Sequence, residues 1–337
     1  MLSTRTPRAS VVLYQSKILL AANCKRPISI VATSKHTLPA TQLPFSKKFI
    51  SLQTRNMSEG AHPHMHRNEL FDMTGFTAVV TGGGTGIGLM ITLALVENGC
   101  KVFVTSRDKS KLEDVVKRYG GDGKERGEII PVEVDITSKE SLVNAVKTIE
   151  PQAPKGIQIL FNNSGIAGEG SREGYEAIDM KDPEAISAQL WKSEPYEWDA
   201  ILRTNVTSQY FTASAFLPLL AKGKDAFKGY ASQIINTTSI SGVMKKASGG
   251  QYAYAASKAA MFQFTKVLAT ELMETGIRVN QIAPGVFPSQ MTAGGKEGDQ
   301  KSSLEGTGKG KGNPAGRPGD EKDMAGTVLF LASRAGV

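Results

Sequence analysis

Short apolar runs rich in β-branched residues alternate with helical stretches after residue 70, and this alternation strongly constrains the fold. The apolar runs span residues 76–81, 101–105, 129–134, 157–161, 233–236 and 278–282. The helical stretches between them span residues 87–98, 111–119, 139–149, 196–220 and 255–274. Such alternation is typical of a parallel sheet that is covered by helices on both faces. The sequence therefore predicts an α/β fold with one doubly wound parallel sheet, whose ligands bind at the carboxyl ends of the strands.

A glycine-rich turn, TGGGTGIG at residues 81–88, follows the first apolar run and precedes the first helical stretch. Gly82, Gly86 and Gly88 permit a tight turn and let backbone amides approach a pyrophosphate at the start of a helix. The spacing is G-x-x-x-G-x-G and not G-x-G-x-x-G, and a flexible glycine loop is the alternative interpretation. The strand before the turn and the helix after it favour a dinucleotide site.

Tyr254 and Lys258 are four residues apart in the run YAYAASKAA, which places them on one face of a helix. A tyrosine with a pKa near ~10 holds its proton too tightly to act as a base near neutrality. Because an adjacent ammonium favours the phenolate, we expect Lys258 to lower the pKa of Tyr254 and make it a usable proton donor or acceptor. Such pairs also arise by chance on many helices, so this one gains its meaning from the glycine-rich turn.

Six segments in order resemble the motifs of the short-chain dehydrogenase/reductase family, from about Leu70 to the end of the chain. They are the glycine-rich turn, NNSG at 162–165, Asn205 in LRTNVTS, Ser239 in INTTSISG, the Tyr254–Lys258 pair and APGVFPS at 283–289. One departure is Ser164, where the family motif has alanine. The resemblance implies a Rossmann-like domain over residues 70–337 and an oxidoreductase that interconverts a ketone and a secondary alcohol by hydride transfer.

The resemblance also implies catalytic roles for four residues. Tyr254 would protonate the carbonyl oxygen of the substrate, and Ser239 would orient and stabilise that oxygen with a hydrogen bond. Lys258 would bond the nicotinamide ribose as well, and Asn205 would hold a water that links Lys258 to solvent. Alternatively, Ser239 is one of several hydroxyls that hydrogen-bond the end of a strand, and Asn205 is a polar residue that stabilises its own helix.

The end of the second strand indicates which nicotinamide cofactor is used. An Asp or Glu there would bond the adenosine ribose and repel a 2′-phosphate, but this chain has Ser106 followed by Arg107. A guanidinium suits a phosphate, so we expect NADP(H) to be favoured over NAD(H). The alternative is that Arg107 pairs with Asp108 or caps the next helix.

Further cofactor contacts are implied by the same resemblance. Asp135 resembles the family residue that bonds the adenine amino group, with helix capping as its alternative role. The full set of expected cofactor residues also contains Gly82, Thr85, Gly86, Ile87, Gly88, Asn162, Tyr254, Lys258, Pro284, Gly285, Val286 and Ser289.

The first 57 residues differ in composition from the rest of the chain. They contain no Asp or Glu and nine Lys or Arg, within a chain of 40 basic and 32 acidic residues and net charge +8. The remainder has 40 − 9 = 31 basic residues against 32 acidic ones, a net charge of −1. This leader is typical of a mitochondrial transit peptide, and an irrelevant tail or translation from Met57 is the alternative. We expect a mitochondrial protein if the leader is translated and a cytoplasmic one if translation starts at Met57, with residues 58–69 as a linker.

Several partner classes are not supported by the sequence. No apolar run reaches the ~18 residues of a membrane span, and the basic charge of the leader has no nucleic-acid reader motif beside it. Cys24 and Cys100 form no disulfide framework, and His62, His64 and His66 lack supporting carboxylates, so no metal site is expected. The expected partner is a small carbonyl or alcohol, and the family resemblance implies a homodimer or homotetramer.

The substrate and the end of the chain leave more alternatives open. Residues 292–312 predict a mobile flap over the substrate pocket or a disordered insertion, and residues 167–194 form a second insertion beside its entrance. The segments APGVFPSQMT and NPAGRPG resemble those of 3-oxoacyl thioester reductases. A general carbonyl or polyol reductase and a non-catalytic nucleotide-binding protein are the alternatives. The chain stops before the family's last C-terminal strand, so we expect that strand to be absent, as in a fragment or truncated gene product.

Overall fold

The structure, a computed structural model, describes residues 62–168, 174–293 and 301–337. Within these ranges the strands are β1 Thr77–Thr81, β2 Lys101–Ser106, β3 Ile129–Glu133, β4 Ile159–Asn162, β5 Gln233–Thr237 and β6 Arg278–Ile282. The helices are α1 Arg67–Leu70, α2 Gly86–Val96, α3 Lys109–Tyr119, α4 Lys139–Ile149, α5 Pro183–Leu190, α6 Pro195–Leu202, α7 Ser208–Lys224, α8 Tyr252–Glu271, α9 Gln290–Ala293 and α10 Glu321–Ala332. The predicted leader lies outside these residues, and the predicted linker lies partly outside them.

All of these strands are parallel and form one sheet in the order β3-β2-β1-β4-β5-β6. The chain runs outward from β1 to β3 and then returns to add β4 on the other side of β1. The strand order therefore reverses between β1 and β4, which opens a crevice at their carboxyl ends. The predicted doubly wound α/β fold is confirmed, with β6 at one edge of the sheet and a 3₁₀ turn at Arg334–Gly336 after α10.

The core lies in two layers, one on each face of the sheet. Val80, Phe161 and Ile235 face one layer, whereas their neighbours Val79, Leu160 and Ile234 face the other, because side chains alternate along a strand. Strands that are buried on both faces need apolar residues at every position, which is why the sequence shows continuous apolar runs. Among the helices of the described ranges, none is both long and apolar enough to traverse a bilayer.

The sequence predicted one helix over residues 196–220, and this prediction was wrong at its centre. Helix α6 runs instead into a π turn at Arg203–Thr207, after which α7 begins. The backbone amide of Ser208 donates to the carbonyl of Arg203, five residues earlier. Asn205 lies within this turn and bonds the loop that follows β4, so tertiary hydrogen bonds stabilise an interruption that helical periodicity does not reveal.

We expect Gln158→Leu to lower the free energy of unfolding by roughly 2–4 kcal/mol, because two buried backbone groups would lose their partners. Gln158 is fully buried, its Oε1 accepts from the Thr77 amide at 2.7 Å, and its Nε2 donates to the Gly223 carbonyl at 3.1 Å. Urea denaturation measures the loss, and exposed Gln152→Leu is the matched control, with an expected change below ~0.5 kcal/mol. Equal stability of the two variants would contradict this role of Gln158.

Candidate active site

The glycine-rich turn joins β1 to α2 at the crevice where the strand order reverses. The amide of Gly82 donates to the Thr105 carbonyl at 2.8 Å, which ties the turn to β2. At the start of α2, Thr85 makes no side-chain cap and the first turn contains no acidic residue. The amides of Gly86, Ile87 and Gly88 begin this helix, whose end carries partial positive charge and suits an anion.

Two glycines in the turn are required by close contacts. A side chain at Gly88 would overlap the carbonyl oxygen of Gly82 and meet Asn163. Gly86 has φ +50°, and a Cβ there would lie 2.9 Å from the Cβ of Ser289. Only glycine therefore fits at these two positions, and the backbone amides at the start of α2 suit the diphosphate of a nicotinamide dinucleotide.

The NNSG motif clamps this turn through Asn163, which the sequence analysis did not single out. Asn163 Nδ2 donates to the carbonyls of Thr81 and Gly82 at 3.0 and 3.3 Å. The Thr81 hydroxyl accepts from the amides of Asn163 and Ser164 at 2.9 and 3.1 Å. The carboxyl ends of β1 and β4 are thereby fixed to each other.

Asn162, which was expected to contact the cofactor, has its side chain inside the sheet. Its Nδ2 donates to Asn236 Oδ1 at 3.0 Å and to the Gln209 carbonyl at 3.4 Å, and the residue is 1% exposed. The side chain of Asn162 is therefore not directed at the crevice, and the expected cofactor contact of this side chain is not seen. Successive side chains along a strand point to opposite faces, so the sequence could have indicated that Asn162 and Asn163 contact different groups.

Arg107 follows β2, and it neither pairs with Asp108 nor caps α3. The carboxylate of Asp108 caps α3 by accepting from the Lys111 amide at 3.1 Å, and it forms an ion pair with Lys111 Nζ at 3.4 Å. Ser106 Oγ accepts from the Asp108 amide at 3.2 Å. Arg107 is exposed and lines a cavity together with Asp135, at the place expected for the adenosine end of a dinucleotide.

Asp135 follows β3 and does not cap α4, because Ser138 is the N-cap residue of that helix. Its Oδ1 accepts from the amide and hydroxyl of Thr137 at 2.9 and 2.7 Å. These hydrogen bonds, with a smaller effect of Arg107, hold the pKa of Asp135 below its usual value. An ionised carboxylate at this strand end is a ready hydrogen-bond acceptor for an amino group.

Ser239, Tyr254 and Lys258 come together at the carboxyl end of β5, as the sequence predicted. Ser239 Oγ accepts from the Ser241 amide at 3.1 Å, and the Ser239 hydroxyl is near enough to the phenol of Tyr254 to lower its pKa. Lys258 Nζ donates to the Thr237 carbonyl at 2.8 Å and lies 5.7 Å from the ring centroid of Tyr254. A small cavity beside Tyr254 is closed on its other side by α6.

The pKa of Tyr254 is raised, although it was expected to be lowered, and Lys258 is not among the causes of the shift. Burial raises the pKa of Tyr254, and the hydrogen bond with Ser239 opposes this rise only in part. Burial also lowers the pKa of Lys258 to about 8. Desolvation dominates because both groups are buried and the ammonium is directed at the Thr237 carbonyl. At neutral pH the phenol is protonated, so it is a proton donor in this state.

Asn205 positions the loop that carries the NNSG motif. Its Oδ1 accepts from the Ile166 amide at 2.8 Å, while its Nδ2 donates to the Ile166 carbonyl at 2.8 Å and to Ser257 Oγ at 3.0 Å. A Cβ at Gly165 would lie 3.1 Å from Asn205 Oδ1 and 3.6 Å from Lys258 Nζ. The Asn205 side chain therefore binds protein groups beside Lys258.

Two buried polar residues of the site were missed by the sequence analysis. Gln209 Nε2 donates to the Ser164 carbonyl at 2.6 Å, and Ser257 Oγ donates to the Tyr254 carbonyl at 2.7 Å. Both support the loop or helix that carries a motif residue. The available signal was a polar residue at an otherwise apolar helix position, since buried polar groups need partners.

The segment APGVFPS at residues 283–289, called the P-G segment below, follows β6. It contacts both the 3₁₀ turn after Ser239 and the glycine-rich turn. The Pro284 carbonyl accepts from the Ile240 amide at 3.1 Å, and the Val286 carbonyl accepts from the Gly319 amide at 2.9 Å. A Cβ at Gly285 would lie 3.7 Å from Ile240 Cδ1. Together with Ser289 beside Gly86, these contacts place the segment next to both halves of the site.

A family model described as short chain dehydrogenase matches residues 76–300. The chain belongs to the short-chain dehydrogenase/reductase family. It is 39% identical over 283 residues to the short-chain dehydrogenase/reductase PhomF of Diaporthe leptostromiformis, which covers 83% of this chain and 92% of that protein. This membership makes the protein an NAD(P)-dependent oxidoreductase.

Solved structures of the family share the fold. The active-site complex of Pseudomonas aeruginosa RhlG with NADP has a TM-score of 0.64 at 30% identity, covering 79% of this chain and 93% of that one. A 3-ketoacyl-(acyl-carrier-protein) reductase from Brucella melitensis, complexed with NADH, has a TM-score of 0.61 at 25% identity, covering 79% and 93%. The two neighbours hold different nicotinamide cofactors, so the family likeness leaves the choice between them open.

We expect the stability penalty of Lys258 to fall as the pH rises, because its pKa of about 8 lies below its ordinary value of 10.5. Between pH 8 and pH 10.5 the amine of Lys258 is mostly protonated in the unfolded chain and mostly neutral in the folded protein. The unfolded chain therefore binds more protons in this range, and the free energy of unfolding rises with pH. The stability advantage of Lys258→Met over the wild type should shrink by about 1 kcal/mol between pH 7 and pH 9 in urea melts.

Two features make this pH experiment specific to Lys258. Cys100 and Tyr230 have pKa values raised by burial, but they titrate alike in both proteins, so their effects cancel in the difference. Lys266→Met, an exposed change on the same helix, should follow the wild type at every pH. Parallel pH profiles for Lys258→Met and the wild type would contradict a depressed lysine pKa.

Proposed function

We propose that this short-chain dehydrogenase/reductase is an NADPH-dependent reductase of small-molecule ketones. The observation that carries the proposal is the convergence of Ser239, Tyr254 and the buried Lys258 beside the NNSG loop. A nicotinamide cofactor, when bound, supplies the hydride for the carbonyl carbon. The residues that would hold it are those of the turn, the strand ends after β2 and β3, and the P-G segment.

The protein supplies the proton and fixes the carbonyl group. Tyr254 is protonated at neutral pH and donates its proton to the carbonyl oxygen as negative charge develops there. The Ser239 hydroxyl donates a hydrogen bond to the same oxygen, since it already lies against the phenol. Both donors are on rigid elements, the end of β5 and the first turn of α8.

The charge of Lys258 acts mainly after the proton has left Tyr254. With a pKa of about 8 the amine is largely protonated at pH 7, and its ammonium stabilises a phenolate more than a neutral phenol. This difference lowers the free energy of the transition state relative to the resting site. The raised pKa of the resting tyrosine is therefore compatible with its role as the acid.

Preference for NADPH is supported by the position of Arg107. Among the ion pairs of residues 62–168, 174–293 and 301–337, none involves Arg107. Its guanidinium is exposed in the cavity that contains Asp135, and guanidinium groups bind phosphates with paired hydrogen bonds. A ribose 2′-phosphate is the group that distinguishes the two cofactors at this point.

A 3-oxoacyl thioester is the substrate class that we propose to test first. The name of the Brucella relative and the APGVFPSQMT and NPAGRPG segments support this choice. General carbonyl or polyol reduction is the alternative range for the same chemistry. Ser193 and α6 border the cavity beside Tyr254 and would decide between these substrates.

Self-association and location are further proposals. Tyr210 on α7 and Val267 on α8 are 52% and 47% exposed, and such apolar surface supports a homodimer or homotetramer built on these helices. Residues 1–57, which lie outside the described residues, would direct the protein to mitochondria if they are translated. A start at Met57 would leave it in the cytoplasm.

We expect Tyr254→Phe to abolish ketone reduction while leaving NADPH binding nearly unchanged, because only the proton donor is lost. Turnover is followed by NADPH absorbance with a 3-oxoacyl thioester, and binding by nicotinamide fluorescence. The matched control is Tyr252→Phe, since Tyr252 has Ala256 and not a lysine four residues later. Full activity in Tyr254→Phe would eliminate the proposed mechanism.

Replacing Arg107 with glutamine should weaken NADPH binding about ten- to a hundredfold and leave NADH binding unchanged, because one charge-assisted phosphate contact is lost. Fluorescence titration of each dinucleotide measures both affinities. Lys109→Gln removes the same charge from the start of α3 and serves as the control. An equal loss for both cofactors, or none, would refute the role of Arg107.

A further inference from the structure

The segment after β6 folds back onto the glycine-rich turn. The Ser289 amide donates to Thr292 Oγ1 at 3.0 Å, and Thr292 Oγ1 donates to the Phe287 carbonyl at 2.6 Å. A Cβ at Gly86 would lie 2.9 Å from Ser289 Cβ and 3.3 Å from Ser289 Cα. The tight turn at residues 287–292 is therefore in contact with the first residue of α2.

Lys309 returns to this same turn from a later part of the chain. Its Nζ donates to the Thr292 carbonyl at 2.6 Å. The ammonium is thus linked through Thr292 and Ser289 to the start of α2. No motif of the sequence analysis marked this residue, because it lies in the glycine-rich stretch that was predicted to be a flap or an insertion.

The described part of that stretch, residues 301–312, is anchored on both sides of Lys309. Before it, Leu304 is 5% exposed, and Lys301 Nζ lies 2.7 Å from Glu321 and 5.4 Å from the ring centroid of Tyr119. After it, the Gly319 amide donates to the Val286 carbonyl at 2.9 Å. These contacts fix the path of the segment, so the position of Lys309 does not depend on its own hydrogen bond alone.

The charges around Lys309 favour an anion. The start of α2 is the positive end of a helix and has no acidic residue in its first turn. In the described ranges Lys309 belongs to no ion pair, although seven such pairs occur there. An ammonium has three N–H donors, and Thr292 accepts from one of them.

We propose that Lys309 binds the diphosphate of the nicotinamide dinucleotide and that its segment straps the cofactor onto the glycine-rich turn. The inference rests on the dinucleotide site of the proposed function. The diphosphate is common to NADPH and NADH, so Lys309 strengthens the binding of both cofactors. This distinguishes it from Arg107, which concerns the 2′-phosphate alone.

The test compares Lys309→Gln with wild type by fluorescence titration of NADPH and of NADH, and by competition with ADP-ribose. We expect all three affinities to fall about five- to tenfold, with a weaker dependence of binding on salt than in the wild type. Lys309→Arg keeps the charge and should retain most of the affinity. Lys311→Gln removes the same charge from the same segment and should bind as the wild type does.

Thermal melts without cofactor separate this role from a purely structural one. Equal melting temperatures for Lys309→Gln and Lys311→Gln, with weaker binding only in the former, support the diphosphate contact. Unchanged affinities in Lys309→Gln, or a loss for NADPH alone, overturn it while leaving the proposed function intact. If the wild type binds neither dinucleotide, the proposed function and this inference both fail.

Discussion

The hydroxyl of Thr81 holds together the two strand ends on which the whole site is built. It donates to the Phe161 carbonyl at 3.2 Å and accepts from the amides of Asn163 and Ser164. Parallel strands have no hairpin to join their carboxyl ends, and these side-chain bonds add to the backbone pairing of β1 with β4 where the strands end. The glycine-rich turn and the NNSG loop both take their positions from this junction.

Much of the architecture was predictable because burial on both faces of a parallel sheet leaves a strong mark on the sequence. The strand over residues 278–282 and the helix over 139–149 were predicted with the observed bounds. Ser239, Tyr254 and Lys258 were found through their motifs, which depend on short spacings along the chain. Helix α3 begins two residues earlier than predicted, at Lys109, because Asp108 caps it.

What the sequence did not reveal depends on contacts between distant residues. The π turn exists because Asn205 bonds Ile166, which is 39 residues away. The pKa of Tyr254 is raised because folding removes water from it, and the helical spacing of Tyr254 and Lys258 carries no information on desolvation. Asn163 and Lys309 act through backbone carbonyls, which any sequence possesses and no motif can mark.

The π turn also separates two tasks within one long helical region. A π turn adds a residue relative to an α-helix, so the side chains before it are rotated by about 100° relative to those after it. Helix α7 packs Phe216 and Leu219 against the sheet, while Trp198 and Ile201 of α6 line the cavity beside Tyr254. Residues of α6 can therefore vary with the substrate without disturbing the buried face of α7. In evolutionary terms, one extra residue places separate sequence constraints on the buried face of α7 and on the side of α6 that lines the cavity.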